Sequence, residues 1–188
     1  MLTIGILTVS DGVFAGRRED VSGRRIEELA RERLSATVAR RAVVPDERER
    51  IAKTLREWAD AGIDLALTTG GTGLGPRDVT PEATRSVIER EVPGLAEVMR
   101  AESLKHTVHG MLSRAVCGTR GRTLIVNLPG SPKGVEENLQ AIMEALPHAV
   151  ALLKGEFTEH APGWEKTGTG QGERHHEHER HEGHGHEH

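Results

Sequence analysis

Aromatic residues and cysteine are scarce in this chain. Two Trp, two Phe and no Tyr among 188 residues leave the core to be built from Leu, Val, Ile and Ala. So few aromatic rings argue against a surface on which nucleic-acid bases stack. The single cysteine, Cys117, excludes an internal disulfide and is typical of a protein from a reducing cytosol.

Long apolar runs and a strong charge of one sign are also missing. No run approaches the roughly 18 apolar residues of a membrane span, and Met1 leads into a strand pattern rather than a signal peptide. The net charge of −4 provides no basic field. We therefore expect a cytoplasmic protein with neither nucleic acid nor a membrane as its partner.

Strand-like and helix-like segments alternate along the chain, whose length fits one ordinary domain. Apolar runs predict strands at residues 2–9, 37–44, 63–69 and 123–128, the second nearer an edge because two arginines interrupt it. Segments with helical spacing separate them, with Ser22 and Asp46 as expected openers of the first two helices and a long last helix over residues 135–153. The alternation predicts a three-layer α/β/α fold with a mainly parallel sheet.

A glycine-rich loop follows the third predicted strand. Residues 65–69 run into Gly70-Gly71-Thr72-Gly73-Leu74-Gly75-Pro76-Arg77-Asp78, and a helix start follows at residues 80–82. Open α/β sheets bind ligands outside the carboxyl ends of their strands, and glycines let the backbone approach a phosphate. Arg77 would add positive charge and Asp78 a carboxylate suited to Mg²⁺. The loop therefore predicts a ligand that carries phosphate. Because it lacks the lysine and the glycine spacing of the standard nucleotide fingerprints, the chemistry of that ligand stays open.

Polar clusters follow all four predicted strands, at Ser10-Asp11, Pro45-Asp46, the glycine loop and residues 129–133. The carboxyl ends of parallel strands lie on one edge, so these clusters can converge on one pocket. Taken singly, Asp46 is explained as a helix N-cap, Asp11 as part of a turn and Lys133 as a solvated charge. Together, acids beside an anion-binding backbone suit Mg²⁺-assisted phosphoryl or nucleotidyl transfer.

The order of these segments closely resembles the molybdenum-cofactor biosynthesis family, which includes the MogA and MoaB proteins and the G domain of gephyrin. The matching segments are residues 8–11, 20–23, 45–46, 68–84 and 128–132, and the motif within 68–84 is highly specific. The resemblance covers residues 1–162. It implies a homotrimeric molybdopterin adenylyltransferase of this α/β fold. Such an enzyme acts in molybdenum or tungsten cofactor biosynthesis, where it transfers AMP from Mg-ATP to molybdopterin and releases pyrophosphate. We expect hand-over of the product to a molybdenum-insertion enzyme.

The resemblance also implies roles for individual residues. Asp46 and Asp78 match the two acids tied to catalysis, and we expect them to bind Mg²⁺ and to orient the triphosphate. The residues expected to line the nucleotide and pterin sites are Ser10, Asp11, Asp20, Ser22, Gly23, Gly70, Gly71, Thr72, Gly73, Gly75, Arg77, Pro129, Gly130, Ser131 and Lys133. The alternative is a non-catalytic molybdopterin-binding or carrier protein of the MoaB type, which would not need both carboxylates.

The composition changes near the carboxyl terminus. Residues 163–188 contain many Gly, Glu and His and almost no apolar residues, which predicts a disordered tail after a domain of residues 1–162. Seven of the eleven histidines lie there, at His175, His176, His178, His181, His184, His186 and His188. Imidazoles at this density predict loose binding of Ni²⁺, Zn²⁺ or Cu²⁺, with a merely solvated tail as the alternative. A third interpretation of the whole chain is a metal-handling protein, but the complete glycine and acidic set argues against it.

Overall fold

Six strands form one sheet in the order β2-β1-β3-β6-β5-β4 in the computed structural model, which describes residues 1–156. The strands are β1 (Thr3–Val9), β2 (Thr37–Val44), β3 (Leu65–Thr69), β4 (Arg90–Glu91), β5 (Cys117–Arg120) and β6 (Thr123–Leu128). The four strands β2, β1, β3 and β6 are parallel, whereas β5 and β4 are antiparallel to their neighbours. This confirms the mainly parallel sheet and places β2 at an edge, as predicted.

The helices pack on both faces of the sheet. They are α1 (Asp11–Phe14), α2 (Val21–Leu34), α3 (Arg48–Asp60), α4 (Thr80–Arg85), α5 (Pro93–Leu104), a 3₁₀ helix (Val108–Leu112), α6 (Pro132–Ile142) and α7 (Ala145–Lys154). Apolar residues of α2, α5, α6 and α7 pack with Ile4 and Ile6 on one face, and those of α3 and α4 pack with Leu7 and Val9 on the other. Because successive strand residues point to opposite faces, buried strands supply both cores. This confirms the three layers.

The long helix predicted over residues 135–153 is wrong, since two helices, α6 and α7, occupy this segment. Pro147 explains the break, because proline has no backbone N–H and its ring clashes with the carbonyl four residues earlier in a continuous helix. The chain instead makes a tighter turn here, in which Leu146 N donates to the carbonyl of Met143 at 3.3 Å.

Two strands were not predicted. The strand β4 has only two residues, and β5 is short and contains Gly118 and Thr119, so neither shows apolar alternation. Both extend the sheet beyond β6 at the edge opposite β2.

No helix within residues 1–156 is long and apolar enough to cross a membrane. The predicted domain boundary at residue 162 and the predicted disordered, metal-binding tail at residues 163–188 lie outside the described residues.

Candidate active site

The loops that follow β1, β2, β3 and β6 meet at the carboxyl edge of the parallel strands. They surround two neighbouring clefts that have Ser131 in common. One, the acidic cleft, has a volume of about 690 Å³ and is lined by Asp46 and Asp78 among others. The other, the adjoining cleft, has a volume of about 440 Å³ and lies beside Gly73 and Lys133. The four polar clusters singled out in the sequence are therefore brought together.

The predicted site residues divide between the clefts. Those that line the acidic cleft are Ser10, Asp20, Ser22, Asp46, Gly70, Gly71, Asp78, Gly130 and Ser131. Those that line the adjoining cleft are Thr72, Gly73, Pro129, Ser131 and Lys133. Four predicted residues, Asp11, Gly23, Gly75 and Arg77, line neither cleft within the described part of the chain. Asp11, Gly23 and Gly75 each form a hydrogen bond with a residue that lines the acidic cleft, whereas Arg77 pairs with Asp11.

Asp46 joins the ends of two strands. Its Oδ2 accepts a hydrogen bond from the backbone N–H of Asp11 at 2.8 Å, and Asp11 Oδ1 accepts one from the N–H of Asp46 at 3.0 Å. The prediction that Asp46 opens a helix is wrong, because α3 begins at Arg48 with Glu47 at the N-cap position. The reason is that the Asp46 carboxylate is held across the strands by Asp11.

The two carboxylates of this pair have opposite pKa shifts. Partial burial raises the pKa of Asp46, and repulsion from Asp11 and Asp78 adds to this effect. The Arg77 guanidinium lowers the pKa of Asp11, helped by the hydrogen bond from the Asp46 backbone. Asp46 thus carries a negative charge that neighbouring carboxylates disfavour, and a cation in the acidic cleft would stabilise it.

Arg77 is paired within the protein. Its Nε donates to Asp11 Oδ2 and its Nη2 to Asp11 Oδ1, both at 3.0 Å. This two-pronged geometry is the one that a guanidinium and a carboxylate favour. The positive charge predicted for the glycine loop is therefore opposed by Asp11, and the pair ties the exposed tip of the loop to the end of β1.

Contacts within the protein account for the four glycines of the loop. Gly70 and Gly71 have φ angles of +97° and +67°, and a Cβ there would collide with the Val9 carbonyl and the Thr80 hydroxyl, respectively. A Cβ on Gly73 or Gly75 would lie 2.9 or 2.8 Å from Asp78 Oδ2. The latter two glycines make room for the Asp78 carboxylate, which accepts a hydrogen bond from the N–H of Gly75 at 2.8 Å.

Asp20, rather than Ser22, caps α2. Its Oδ1 accepts hydrogen bonds from the N–H of Gly23 and from Thr8 Oγ1, both at 2.9 Å, and its Oδ2 pairs with Arg41 at 2.9 Å. The prediction that Ser22 opens the helix is wrong, because an earlier carboxylate already takes the free backbone N–H. Asp20 lies in the wall of the acidic cleft with its charge already paired.

The loop after β6 is fastened by three hydroxyl groups. Ser22 Oγ donates to the carbonyl of Gly130 at 2.7 Å, and Thr69 Oγ1 donates to the carbonyl of Pro129 at 2.6 Å. Ser131 caps α6 by accepting from a backbone N–H in the first turn. The wall between the two clefts is therefore attached to α2, β3 and α6.

Arg114 is a residue that the sequence analysis missed. Its Nε donates to the carbonyl of Gly73 at 2.8 Å, its Nη2 donates to the carbonyl of Asp78 at 2.7 Å, and its Nη1 pairs with Glu82. Its own N–H donates to the carbonyl of Thr72 at 3.0 Å. No signal marks it in the sequence, since it is one of 25 basic residues and belongs to none of the segments that carry the resemblance.

The fold and the site define a class, namely open α/β proteins whose binding site lies at the carboxyl edge of parallel strands. Residues 5–148 match the family model described as a probable molybdopterin binding domain. The chain belongs to this molybdopterin-binding family.

Named relatives support the same assignment. The molybdopterin adenylyltransferase of Helicobacter pylori (strain J99) is 42% identical over 158 residues, which cover 83% of this chain and 90% of that protein. The molybdenum cofactor synthesis protein cinnamon of Drosophila melanogaster is 46% identical over 153 residues, or 81% of this chain. The match covers only 26% of cinnamon, so the chain spans about a quarter of that longer relative.

A solved structure has the same fold. The molybdopterin biosynthesis enzyme MoaB from Thermus thermophilus superposes with a TM-score of 0.78 at 55% identity. The superposition covers 82% of this chain and 98% of that one. These matches confirm the family resemblance and the three-layer fold.

Proposed function

We propose that this chain is a molybdopterin adenylyltransferase, which transfers AMP from ATP to the terminal phosphate of molybdopterin. The observation that carries the proposal is the placement of Asp46 and Asp78 in one cleft, beside a glycine loop at the carboxyl edge of the sheet. The bacterial relative that bears this name matches over 90% of its length, which favours the enzyme over a carrier.

The reaction needs charge stabilisation more than proton transfer. An oxygen of the terminal phosphate of molybdopterin attacks the α-phosphorus of ATP, and the bond from that phosphorus to the oxygen bridging to the β-phosphate breaks. Pyrophosphate leaves with the electron pair. A phosphate monoester is largely dianionic at neutral pH, so the attacking oxygen carries its own charge. What the protein supplies is position and compensation for the negative charge that gathers on the phosphates.

The carboxylates fit a magnesium ion that is shared with substrate. Mg²⁺ is commonly held by one or two carboxylates together with substrate phosphates rather than by an all-protein cage. Consistent with this, residues 1–156 contain no preformed group of three His, Cys, Asp or Glu ligands. Within the same residues, Asp46 Oδ1 accepts no hydrogen bond and faces Gly71, while Oδ2 is engaged by Asp11.

We assign Mg²⁺ to Asp46 and Asp78. When bound, the ion would neutralise charge on the triphosphate and on the departing pyrophosphate. The raised pKa of Asp46 supports this assignment, because a cation relieves the repulsion among Asp46, Asp11 and Asp78.

The two clefts provide room for two substrates. We place the reacting phosphates in the acidic cleft, next to Asp46 and Asp78. The adjoining cleft, beside Gly73 and Lys133, has space for the ring system of one of the two substrates. Because the clefts meet at Ser131, ligands in both would bring their reacting groups together.

The assembly and the partners are further parts of the proposal. We propose a homotrimer, a catalytic domain that extends to residue 162, and hand-over of the adenylylated product to a molybdenum-insertion enzyme. The support is the resemblance carried by residues 68–84. Light scattering coupled to size-exclusion chromatography measures the assembly directly, and a monomeric or dimeric mass would contradict the trimer.

The decisive experiment is a product assay on the purified protein with molybdopterin and ATP. We expect adenylylated pterin and pyrophosphate in equal amounts, and loss of both when a chelator removes Mg²⁺. Tight molybdopterin binding without product at saturating Mg-ATP would show that the protein is a carrier rather than an adenylyltransferase. Product formation that is indifferent to the chelator would retain the enzyme and reject the metal assignment.

A further inference from the structure

We infer that Arg114 is a positioning residue that holds the glycine loop so that the Asp78 carboxylate stays in the acidic cleft. The catalytic consequence rests on the proposed function, whereas the effect on the loop does not. Within the described residues Arg114 lines neither cleft, so it acts through the loop rather than on substrate.

The base of the loop is closed without Arg114. Thr80 N donates to the carbonyl of Gly71 at 3.1 Å, and Thr80 Oγ1 donates to the carbonyl of Gly70 at 2.8 Å. Residues 74–77 beyond this base are exposed. The Arg77–Asp11 pair ties the tip to the end of β1, so the two limbs between the base and the tip are the part of the loop that still needs an anchor.

Arg114 supplies that anchor to both limbs of the loop. On the outgoing limb its backbone N–H donates to the carbonyl of Thr72 and its Nε to that of Gly73, and on the returning limb its Nη2 donates to the carbonyl of Asp78. Its third guanidinium nitrogen, Nη1, pairs with Glu82 in the first turn of α4, which follows the loop. One side chain thus connects the two limbs and the helix after them.

Three hydrogen bonds hold Asp78, one of which is donated by its own N–H to the carbonyl of Gly75 at 3.0 Å. Its backbone carbonyl accepts from Arg114 at 2.7 Å, and its carboxylate accepts from the N–H of Gly75 at 2.8 Å. A rigid guanidinium suits this task, because its planar donors reach carbonyls in different directions, whereas a lysine ammonium acts as a point charge on a flexible stem. Loss of the guanidinium would free the returning limb, and the carboxylate would move with it.

Arg120 provides a matched control. It is the last residue of β5, whereas Arg114 lies just before that strand. Like Arg114, it donates to a carbonyl (Val87) and pairs with an acid (Asp60), and 30% of its side chain is exposed against 32% for Arg114. Among the described residues it lines neither cleft and contacts no residue of the glycine loop. Arg114→Met and Arg120→Met therefore remove similar side chains with different proposed consequences.

The first measurement is amide hydrogen exchange in full-length protein without ligand. We expect Arg114→Met to accelerate exchange in a peptide covering residues 70–79 by about 10-fold or more, and Arg120→Met to leave that peptide unchanged. Arg114→Lys should give intermediate protection, and it serves as the test variant if Arg114→Met does not fold. Unchanged exchange in the loop would overturn the inference whatever the activity.

The second measurement separates positioning from general weakening of the fold. We expect Arg114→Met to lower kcat for adenylyl transfer about 100-fold, while KM for ATP changes less than about 3-fold, and Arg114→Lys to recover part of kcat. In an Asp78→Asn background Arg114→Met should reduce the remaining rate by less than about 3-fold, because the carboxylate that it positions is gone. Full additivity of the two substitutions would overturn the link to Asp78. An inactive parent protein would refute the proposed function, and the exchange experiment would still decide the role of Arg114 in the loop.

Discussion

Two aspartates at opposite ends of the same sheet have opposite environments. Asp64 lies just before β3, at the amino edge, and is 6% exposed. Its Oδ2 accepts from Thr3 N at 2.8 Å and from Thr3 Oγ1 at 2.9 Å, while its Oδ1 pairs with Lys154 at 2.8 Å. Asp46 lies just after β2, at the carboxyl edge, and only one of its oxygens is engaged within the described residues, by Asp11.

The pKa shifts follow this difference. Burial alone would raise the pKa of Asp64, but the hydrogen bonds from Lys154 and Thr3 outweigh it, so the pKa is lowered. Burial also raises the pKa of Asp46, and there the nearby carboxylates of Asp11 and Asp78 act in the same direction. The amino edge neutralises its charge with protein groups, whereas the carboxyl edge leaves negative charge that the proposed Mg²⁺ would offset.

The largest expected effect is on the rate of adenylyl transfer, which substitutions at the carboxyl edge should lower and a substitution at the amino edge should not. Asp46→Asn and Asp78→Asn should each reduce adenylyl transfer about 10³-fold or more, because each removes a negative charge from the proposed Mg²⁺ site. Asp64→Asn should keep a rate within a few-fold of the parent at 25 °C. The initial rate of pyrophosphate release measures all three. Glu47→Gln is the control beside Asp46, since that side chain is half exposed and, among residues 1–156, forms an ion pair with Arg50 alone. Near-normal rates in both Asp46→Asn and Asp78→Asn would show that the carboxylates at the carboxyl edge are not needed for adenylyl transfer.

The second effect concerns the backbone of the carboxyl edge. Gly71→Ala should destabilise the protein by about 3 kcal/mol, from a positive φ together with collision against Thr80. Gly16→Ala should lose only about 1 kcal/mol, because Gly16 has nearly the same φ, +70°, but open space around it. Because the two φ angles are nearly equal, the difference between the two losses of unfolding free energy, measured in urea, gives the cost of the collision with Thr80. Equal losses would show that the Thr80 side chain moves aside without penalty.

The third effect is expected at the amino edge. Asp64→Asn should lower the free energy of unfolding by about 2 kcal/mol at neutral pH, because it leaves Lys154 without its buried partner. The folded pKa of Asp64 lies below the unfolded value of 3.8, so its stabilisation is complete above that value and is lost as pH falls through the folded pKa. Parent and variant should therefore converge in acid. Unfolding curves between about pH 5 and pH 2 test this, and a constant difference would contradict the ionic explanation.

A smaller effect of opposite sign is expected for Asp46. Its folded pKa is raised, so its contribution is most favourable below 3.8 and is lost as pH rises through the folded pKa. Asp46→Asn should therefore raise Tm at pH 7 by roughly 2 °C, in the absence of Mg²⁺ and nucleotide, and the gain should shrink in acid. The amide oxygen of Asn retains an acceptor for the N–H of Asp11. A lower Tm at pH 7 would mean that Asp46 is a structural group like Asp64.

The smallest effect on stability and activity is expected from removal of the tail, which lies outside the described residues. Removal of residues 163–188 should leave Tm and adenylyl transfer almost unchanged and should remove most Ni²⁺ or Zn²⁺ binding, since seven histidines go with it. The binding should also weaken below about pH 6, where imidazoles protonate. Calorimetric titration of both forms with Zn²⁺ gives the stoichiometry. Equal stoichiometry would show that the tail histidines bind no metal.

Local patterns in the sequence predicted the parallel strands and the edge at which the polar clusters meet. An apolar run followed by glycines and an acid contains this information within a few residues, because strand direction and sheet edge follow from the alternation of elements. The apolar pattern over residues 135–153 predicted one helix, and it missed the break between α6 and α7 that Pro147 causes. The short strands β4 and β5 had no such pattern.

The sequence by itself thus determined the layers, the sheet edge and the set of polar residues delivered to it, because each depends on neighbours within one element or loop. Only the tertiary structure decided how those residues pair. Asp11 contacts Asp46, which is 35 residues away in the sequence, and Arg77, which is 66 residues away. Arg114 contacts Gly73 over a separation of 41 residues. The physical reason is that an arginine can donate to any carbonyl or carboxylate within reach, so its partner is set by which segments the packed sheet and helices bring beside it.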